Sequence, residues 1–365
     1  MEAKTFCKAF FGLTAVLLSG IGLLTIYVDP FFHYHKPLSG FAYQLRSGER
    51  YLNDGITRHF DYDAVITGTS MTENFKTSEL DRLFGVHAIK VPYAGGRYKE
   101  VNDNLRKAFT ESGNGIKIVV RGLDLQLINA DKDEKREDIV YPDYLVNDNF
   151  FDDVRYLFNK DVFFQETVQT CILTAGGYAM KSFDAYSNWM QSAVFGKDHI
   201  LQYYPERKGG KIQKNKLTEE DRLRIAENLS QNVTSVIREN PQCEFYYFFP
   251  PYSILWYHSE ILNGGFYKNY EIEKIAIETL LAFENVRLYS WNDQFDLTTN
   301  LDLYRDATHY HEDINSQMLS FMKAGKGRLT VDNYETYLQK CYRFYSRYDY
   351  ERIFAPEDAS DGQIP

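Results

Sequence analysis

Three residues with side chains suited to nucleophilic catalysis lie at two separate places in the chain. Ser70 belongs to a Gly68-Thr69-Ser70 sequence directly after a short apolar run, and Asp306 and His309 stand three residues apart much later. A serine hydroxyl is a poor nucleophile at neutral pH and needs an adjacent imidazole to accept its proton. The imidazole needs a carboxylate that holds its tautomer and stabilises the cation. We therefore predict a triad of Ser70, His309 and Asp306 that carries acyl transfer.

Glycines and charged residues follow two other apolar runs. Gly95 and Gly96 follow one of them, and Arg121 and Asp124 come at the end of the other. Backbone N–H groups near Ser70 and in the Gly95–Gly96 turn would form an oxyanion hole. Arg121 would orient Asp124 or bind an anionic substrate, although a structural ion pair explains the arginine equally well.

Each of these signals has a plainer explanation. A serine after a strand often only caps the next helix, and an Asp-x-x-His sequence is often a surface pair. His309, His311 and Asp306 have the residue types of a metal site, but no further acidic or histidine cluster supports one, so we expect neither a metal nor a cofactor. The aromatic residues Tyr93, Tyr252 and Trp189 would line a sugar-binding cleft, or would pack in the core.

A regular alternation of elements would bring the candidate residues together. The apolar runs that predict strands are residues 63–67, 88–91, 116–120, 244–249 and 286–289. Helical patterns occur at residues 77–85, 97–110, 218–237, 272–283 and 312–323, with Thr77 or Ser78 capping the first and Thr218-x-x-Asp221 opening the third. This alternation predicts an α/β fold with a mostly parallel sheet covered on both faces. Ligands of such sheets bind outside the carboxyl ends of the strands, where the candidate residues fall.

The N-terminal region carries a long uncharged segment. Residues 9–28 are apolar and, at about 1.5 Å per residue, would cross about 30 Å of hydrocarbon. Lys4 and Lys8 precede the segment, which favours a cytoplasmic N-terminus and an extracytoplasmic remainder. No small-residue cleavage signature follows, so we expect an uncleaved signal anchor and a single-pass protein of the cell membrane. The alternative is a buried core helix.

Changes in the sequence pattern divide the chain into five regions. We expect a cytoplasmic N-terminus (1–8), the transmembrane anchor (9–28), a stalk that packs on the edge of the domain (29–60), a catalytic domain (61–355) with a mostly helical insertion at about 130–215, and a disordered tail (356–365). The insertion would cover the site, as long insertions in α/β proteins often do.

Composition excludes several classes. The 365 residues are 44% hydrophobic with a net charge of -10, which suits a large core and disfavours a nucleic-acid partner. Four cysteines without a Cys-x-x-Cys pair disfavour a structural zinc site.

The order of these motifs resembles the SGNH (GDSL-like) hydrolase superfamily over about residues 61–325. The matching positions are Gly68-Thr69-Ser70 for the first block, Gly95 or Gly96 for the second, and Asp306 with His309 for the last. An N-terminal anchor with Gly-[Thr/Ser]-Ser and a late Asp-x-x-His is more specifically similar to the extracytoplasmic DltD and AlgJ/AlgX families. The resemblance implies a flavodoxin-like three-layer sandwich, a cell-surface glycopolymer as substrate and a membrane-bound O-acyltransferase as partner. Thr69 and Asp124 depart from the family, which has Asp and a donor Asn at these positions.

The triad and the outward-facing anchor lead us to expect an extracytoplasmic serine esterase or O-acyltransferase that acts on acyl esters of a cell-envelope glycopolymer. One alternative is a non-catalytic scaffold or polymer-binding subunit of an acylation complex, which Asp124 favours because a carboxylate cannot donate a hydrogen bond unless protonated. Another is a lipid or small-ester hydrolase held at the membrane.

Overall fold

The computed structural model describes residues 3–46, 48–111, 115–136, 138–147, 149–204 and 212–355. In these residues six strands form one sheet: β1 (Ala64–Gly68), β2 (Ala88–Pro92), β3 (Ile118–Gly122), β4 (Glu244–Phe249), β5 (Val286–Ser290) and β6 (Arg328–Leu329). The spatial order is β2-β1-β3-β4-β5-β6, and only β6 runs antiparallel to its neighbour. The five predicted strands and the mostly parallel sheet are confirmed, whereas the two-residue β6 was not predicted.

Both faces of the sheet are covered at strands β1, β2 and β3, which precede most of the candidate residues. Every residue of β1, β2 and β3 is buried, although successive side chains point to opposite faces. Continuous apolar runs of this kind are typical of parallel strands that helices cover on two sides.

The helices connect the strands and flank the sheet. They are α1 (Ala3–Val28), α2 (Glu49–His59), α3 (Thr77–Phe84), α4 (Tyr98–Glu111), α5 (Leu125–Ile128), α6 (Asp143–Val146), α7 (Val154–Leu157), α8 (Gln169–Ala175), α9 (Lys197–Tyr203), α10 (Glu219–Leu229), α11 (Ser235–Glu239), α12 (Ile254–Leu262), α13 (Phe266–Leu281), α14 (Phe295–Thr299), α15 (Glu312–Ala324) and α16 (Tyr334–Arg347). Two π-helical segments, Val162–Val168 and Ser230–Thr234, run directly into α8 and α11.

The predicted helix starts have different outcomes. The Thr218 side chain and Asp221 form the expected capping box at α10. The predicted cap of α3 is wrong, because Lys76 occupies the N-cap position without a side-chain hydrogen bond. The hydroxyl groups of Thr77 and Ser78 instead donate to Asp184 of the insertion, which also accepts the Ser78 N–H at 3.0 Å.

The insertion at 130–215 contains only short helices in its described residues, and residues 205–211 lie outside them. It is attached to the elements that carry the candidate site. Asn188 donates to Glu312 at the start of α15 (2.9 Å), and the Trp189 N–H donates to Asn74 in the loop after β1 (3.2 Å).

Helix α1 extends away from the rest of the protein. Only Gly22, Thr25 and Val28 are buried, which disagrees with a buried core helix. Among the described residues, α1 is the helix that is long and apolar enough to cross a membrane. The predicted tail at 356–365 lies outside the described residues.

Candidate active site

A glycine turn presents Ser70 at the carboxyl end of β1. Gly68 has φ +146°, and a Cβ there would lie 2.8 Å from the Thr72 side chain and 3.2 Å from the Gly122 nitrogen. Glycine is therefore needed both for the backbone conformation and for the close approach of β3. A single 3₁₀ turn begins at Ser70, and the Thr72 N–H and hydroxyl both donate to the Thr69 carbonyl at 2.9 and 2.8 Å.

Asp306 and His309 lie in the turn of a short hairpin. Tyr304 and Tyr310 form an antiparallel bridge that closes this hairpin, and the Arg305 N–H donates to the His309 carbonyl at 2.9 Å. The N–H and hydroxyl of Ser253, in the loop after β4, both donate to the carbonyl of Ala307 inside the turn, at 3.1 and 2.8 Å. These bonds fix the turn against the carboxyl ends of the strands.

The structure brings the three predicted catalytic side chains into one hydrogen-bonded series. The Ser70 Oγ lies 2.8 Å from His309 Nε2, across 239 residues of sequence. The other ring nitrogen, Nδ1, lies 2.8 Å from Asp306 Oδ2 and 3.0 Å from Oδ1. A proton on Nδ1 facing the carboxylate leaves Nε2 free to accept the serine proton, which is the arrangement a general base needs.

The surroundings of Asp306 favour its ionised form. Burial would raise the pKa of this carboxyl, but hydrogen bonding and charge from His309 oppose that effect, as do the N–H groups of Thr308 and His309. The net result holds the pKa of Asp306 well below its usual range. The carboxylate thus stays charged at neutral pH and can stabilise an imidazolium at His309.

A small pocket of about 90 Å³ opens beside Ser70 and His309. The predicted residues Gly95, Gly96 and Asp124 line it. Other residues that line the pocket were not predicted from the sequence, among them Arg97, Gln126, Leu127 and Thr308. The first three of these follow β2 or β3, so their position at strand ends was the signal that could have found them.

Two backbone N–H groups are candidates for the oxyanion hole. The Gly96 N–H already donates to the Tyr93 carbonyl at 2.8 Å and closes the turn after β2. Within the described part of the chain, the N–H groups of Ser70 and Gly95 have no acceptor. Gly95 has φ +57°, a conformation that glycine adopts without strain. Ser70 and Gly95 therefore provide the candidate donors, whereas the Gly96 N–H closes the turn.

Asp124 accepts hydrogen bonds at the base of the pocket. Its Oδ2 accepts from the Thr69 hydroxyl at 2.7 Å, its Oδ1 accepts from the Tyr252 hydroxyl, and only 3% of the residue is exposed. Burial raises the pKa of Asp124, and the two hydroxyl donors partly offset that effect. With both oxygens accepting, Asp124 supports the Thr69–Ser70 turn rather than donating to an oxyanion.

Arg121 lies away from the pocket. Its fully buried guanidinium donates to the Asn232 carbonyl at 2.8 Å and lies between the rings of Tyr98 (5.2 Å) and Tyr247 (5.8 Å). Among the described residues it forms no ion pair with Asp124, so neither predicted role for Arg121 matches its position.

The insertion contributes an aromatic contact to the triad. The Trp189 indole packs edge-on against the His309 ring with centroids 5.6 Å apart, and the Arg305 guanidinium lies 5.3 Å from the indole centroid. Of the three aromatic residues predicted for a sugar cleft, Tyr93 and Tyr252 are buried and Trp189 is half-buried. His311, the candidate metal ligand, caps α15 by accepting the Asp313 N–H.

Comparison with protein-family models, curated proteins and solved structures finds no match to this chain. The function is therefore argued from the geometry and chemistry of the site.

Proposed function

We propose that this chain is an extracytoplasmic serine esterase or O-acyltransferase that acts on short acyl esters of a cell-envelope glycopolymer. The observation that carries the proposal is the series Ser70–His309–Asp306, with distances of 2.8 Å on both sides of the imidazole. The three side chains come from two loops that are distant in sequence, and each loop is held in place by its own set of hydrogen bonds. Such an arrangement is typical of a preorganised catalytic group.

In the first half-reaction, the Ser70 oxygen attacks the ester carbonyl while His309 Nε2 takes the hydroxyl proton. The carbonyl oxygen gains negative charge, which the N–H groups of Ser70 and Gly95 stabilise. Asp306 stabilises the imidazolium that forms. The intermediate then collapses, the carbon–oxygen bond to the leaving alcohol breaks, and His309 returns the proton to that alcohol.

In the second half-reaction, His309 takes a proton from water or from a polymer hydroxyl. The resulting oxygen nucleophile attacks the acyl-Ser70 carbonyl, and the serine leaves with the proton returned by His309. Water as acceptor gives hydrolysis, and a sugar hydroxyl gives transfer. His309 remains 26% exposed, so an acceptor can reach the acyl group from solvent.

The size of the pocket favours a short acyl group. Its volume of about 90 Å³ is well below the roughly 300–1,000 Å³ of pockets that enclose drug-sized ligands. A long lipid chain would have no enclosed space next to Ser70. The half-buried Trp189 beside Arg305 supports a polymer that lies along the surface outside the pocket.

The fold is compatible with the proposed relationship to SGNH hydrolases of the DltD and AlgJ/AlgX kind. The first five strands follow the order 2-1-3-4-5, which is that of flavodoxin-like proteins, and Ser70 and Asp124 follow the two strands where the order reverses. We propose on this basis a flavodoxin-like three-layer sandwich. The exposed, apolar α1 after two lysines supports a single-pass anchor with the catalytic domain outside, where a membrane-bound O-acyltransferase would be its partner.

The test is ester turnover by the purified full chain. We expect release of acetate from an O-acetylated polysaccharide and from p-nitrophenyl acetate, with lower kcat/KM on p-nitrophenyl octanoate and on micellar phospholipid. Ser70→Ala should abolish turnover, whereas Ser320→Ala, an exposed serine near the end of α15, should leave it unchanged.

Two results would overturn the proposal. Faster turnover of long-chain esters or phospholipid would identify a lipid hydrolase instead. A folded protein that turns over no ester, and whose Ser70→Ala variant supports polymer acylation in cells as the wild type does, would identify a scaffold.

A further inference from the structure

The segment at residues 158–175 has an apolar face that no part of the described chain covers. Its charged residues are Lys160 and Asp161 at the start and Glu166, and residues 167–180 carry none. The inner side of the segment is buried through Val162, Thr167 and Thr170. The outer side presents Phe164 and Ile172, which are 64% and 59% exposed and eight residues apart. An amphipathic helix normally turns its apolar side towards the core of the protein. Because Phe164 and Ile172 point outwards instead, we expect an apolar environment outside the protein on this side of the segment.

The last turns of α1 pack against the same segment. A Cβ on Gly22 of α1 would lie 3.6 Å from the ring of Phe158, and α1 also contacts the π-helical segment Val162–Val168. A Cβ at that distance would be in van der Waals contact with the ring, so Phe158 packs directly against the backbone of α1 at Gly22. The apolar face is therefore continuous with the surface of α1.

Hydrogen bonds at the end of α1 hold this arrangement rigid. The Asp29 carboxylate accepts the N–H groups of His33, Tyr34 and His35 at 3.0, 2.7 and 3.0 Å. It also accepts the hydroxyl of Tyr156 at 2.8 Å, which links the helix end directly to α7. Several bonds to one buried carboxylate leave α1 little freedom to swing relative to this segment.

The position of Gly22 along α1 indicates how deep its contact with Phe158 lies relative to the bilayer. Gly22 precedes Val28, the last residue of α1, by six positions, which is about 9 Å along a helix at about 1.5 Å per residue. The apolar residues 9–28 give only about the 30 Å that a bilayer core requires, so they cannot cross it if their last two turns stand in water. Protein that packs beside Gly22 then lies at the level of the outer leaflet.

We infer that the face formed by Phe158, Phe164 and Ile172 inserts into the outer leaflet of the lipid bilayer beside α1. This inference rests on the proposed membrane anchor. An interfacial helix lies with its apolar side about 5–10 Å into the headgroup and acyl boundary, which agrees with the depth of Gly22. The catalytic domain would be held at a fixed height above the membrane, and not on a flexible tether.

The experiment uses the full chain in phosphatidylcholine vesicles that contain phosphatidylcholine brominated either near the headgroup or near the chain end. Bromine quenches tryptophan emission on contact. The variants are Phe164→Trp and Ile172→Trp, with Val331→Trp as the matched control, because Val331 is 69% exposed and lies between β6 and α16. Wild-type protein gives the background of the native tryptophans, and Leu17→Trp reports on the middle of α1.

We expect Phe164→Trp and Ile172→Trp to lose emission mainly with lipid brominated near the headgroup, and Val331→Trp to lose none. Quenching of Leu17→Trp without quenching at positions 164 and 172 would overturn the inference, leave the anchor intact, and assign the face to a membrane-protein partner. Absence of quenching of Leu17→Trp would overturn the anchor together with the inference. Ester turnover by Ser70 is measured separately and distinguishes these failures from failure of the catalytic proposal.

Discussion

Thr69 and Asp124 contact each other through a hydrogen bond of 2.7 Å. Under the proposed SGNH relationship, Thr69 stands where an aspartate is expected and Asp124 where an asparagine is expected. The carboxylate would then have exchanged places with the neutral partner, while a donor still faces an acceptor between the loops after β1 and β3. The departure at Asp124 therefore gives no reason to regard the site as inactive.

This exchange predicts a compensating pair of substitutions. Thr69→Asp should place a second carboxylate beside buried Asp124 and lower stability by about 3 kcal/mol or more, because two buried like charges repel and lack a counter-ion. Adding Asp124→Asn should recover most of the loss, since the amide can donate to the new carboxylate and still accept from Tyr252. Thermal unfolding of the single and double variants measures the coupling. A double variant that loses the sum of both single effects would contradict the exchange.

Residue types in order along the chain were enough to predict that Ser70, Asp306 and His309 lie together, because a serine after the first strand and a later Asp-x-x-His form the set that nucleophilic catalysis needs. They were not enough for Gly96 or Arg121. The use of the Gly96 N–H in a turn depends on backbone geometry, and the position of the Arg121 side chain depends on which face of β3 it occupies. Neither property is visible in sequence order.

At the level of elements, the insertion contacts His309, the histidine of the proposed triad. Trp189 contacts His309 through its ring, and its backbone N–H is bonded to Asn74 near the nucleophile. The adjacent Asn188 is bonded to Glu312 of α15, which begins just after the histidine turn. The indole thus limits the orientations open to the imidazole.

Loss of this contact should slow chemistry more than it lowers stability. An aromatic pair contributes about 0.5–1.5 kcal/mol, so Trp189→Ala should reduce the rate of Ser70 acylation by about 2–10-fold. Trp189→Phe should restore most of the rate, because an aromatic ring again faces His309. Acylation rates across pH, with unfolding temperatures of the same variants, separate positioning from a general loss of fold. Equal rates for Trp189→Ala and the wild type would show that the contact has no role in catalysis.

Elements with continuous apolar runs or clear caps were predicted, and helix α2 was not. Its buried residues include only two large apolar side chains, Leu52 and Ile56, beside the small or polar residues Asn53, Asp54, Gly55 and Thr57, so the apolar period covers barely one turn. Gly55 is required there because a Cβ would lie 2.2 Å from the Phe31 carbonyl. A close helix contact through small and polar residues leaves no signal in hydrophobic periodicity.

At the level of the whole molecule, a buried polar connection joins the C-terminal helix to the sheet. The Tyr337 hydroxyl of α16 donates to Glu273 of α13 at 2.7 Å and also lies 2.7 Å from the Ser290 hydroxyl at the end of β5. Burial raises the pKa of Glu273 to about 7, and the Tyr337 hydrogen bond partly offsets that effect.

Glu273 should therefore make the stability of the protein depend on pH. An unfolded glutamate ionises near pH 4.5, whereas the folded one ionises near pH 7, so stability should fall as pH rises between these values and level off above. A glutamine cannot ionise, so the Glu273→Gln variant should lack this loss of stability. On going from pH 5 to pH 8, the free energy of unfolding of Glu273→Gln should rise relative to that of the wild type by at most about 3 kcal/mol, at about 1.4 kcal/mol per pKa unit. Urea unfolding at both pH values measures the difference. Glu278→Gln, an exposed change on the same helix, should behave as the wild type. An unchanged pH dependence in Glu273→Gln would contradict the assignment.

The most direct test of the account is whether Ser70 is an activated nucleophile. The full chain in detergent is treated with a fluorophosphonate probe, beside Ser70→Ala, His309→Gln and the control Ser320→Ala. The account predicts labelling of wild type and control, none in Ser70→Ala, and labelling at least about a hundredfold slower in His309→Gln, which lacks the general base. A folded wild-type protein that does not react, or labelling that persists in Ser70→Ala, would contradict it.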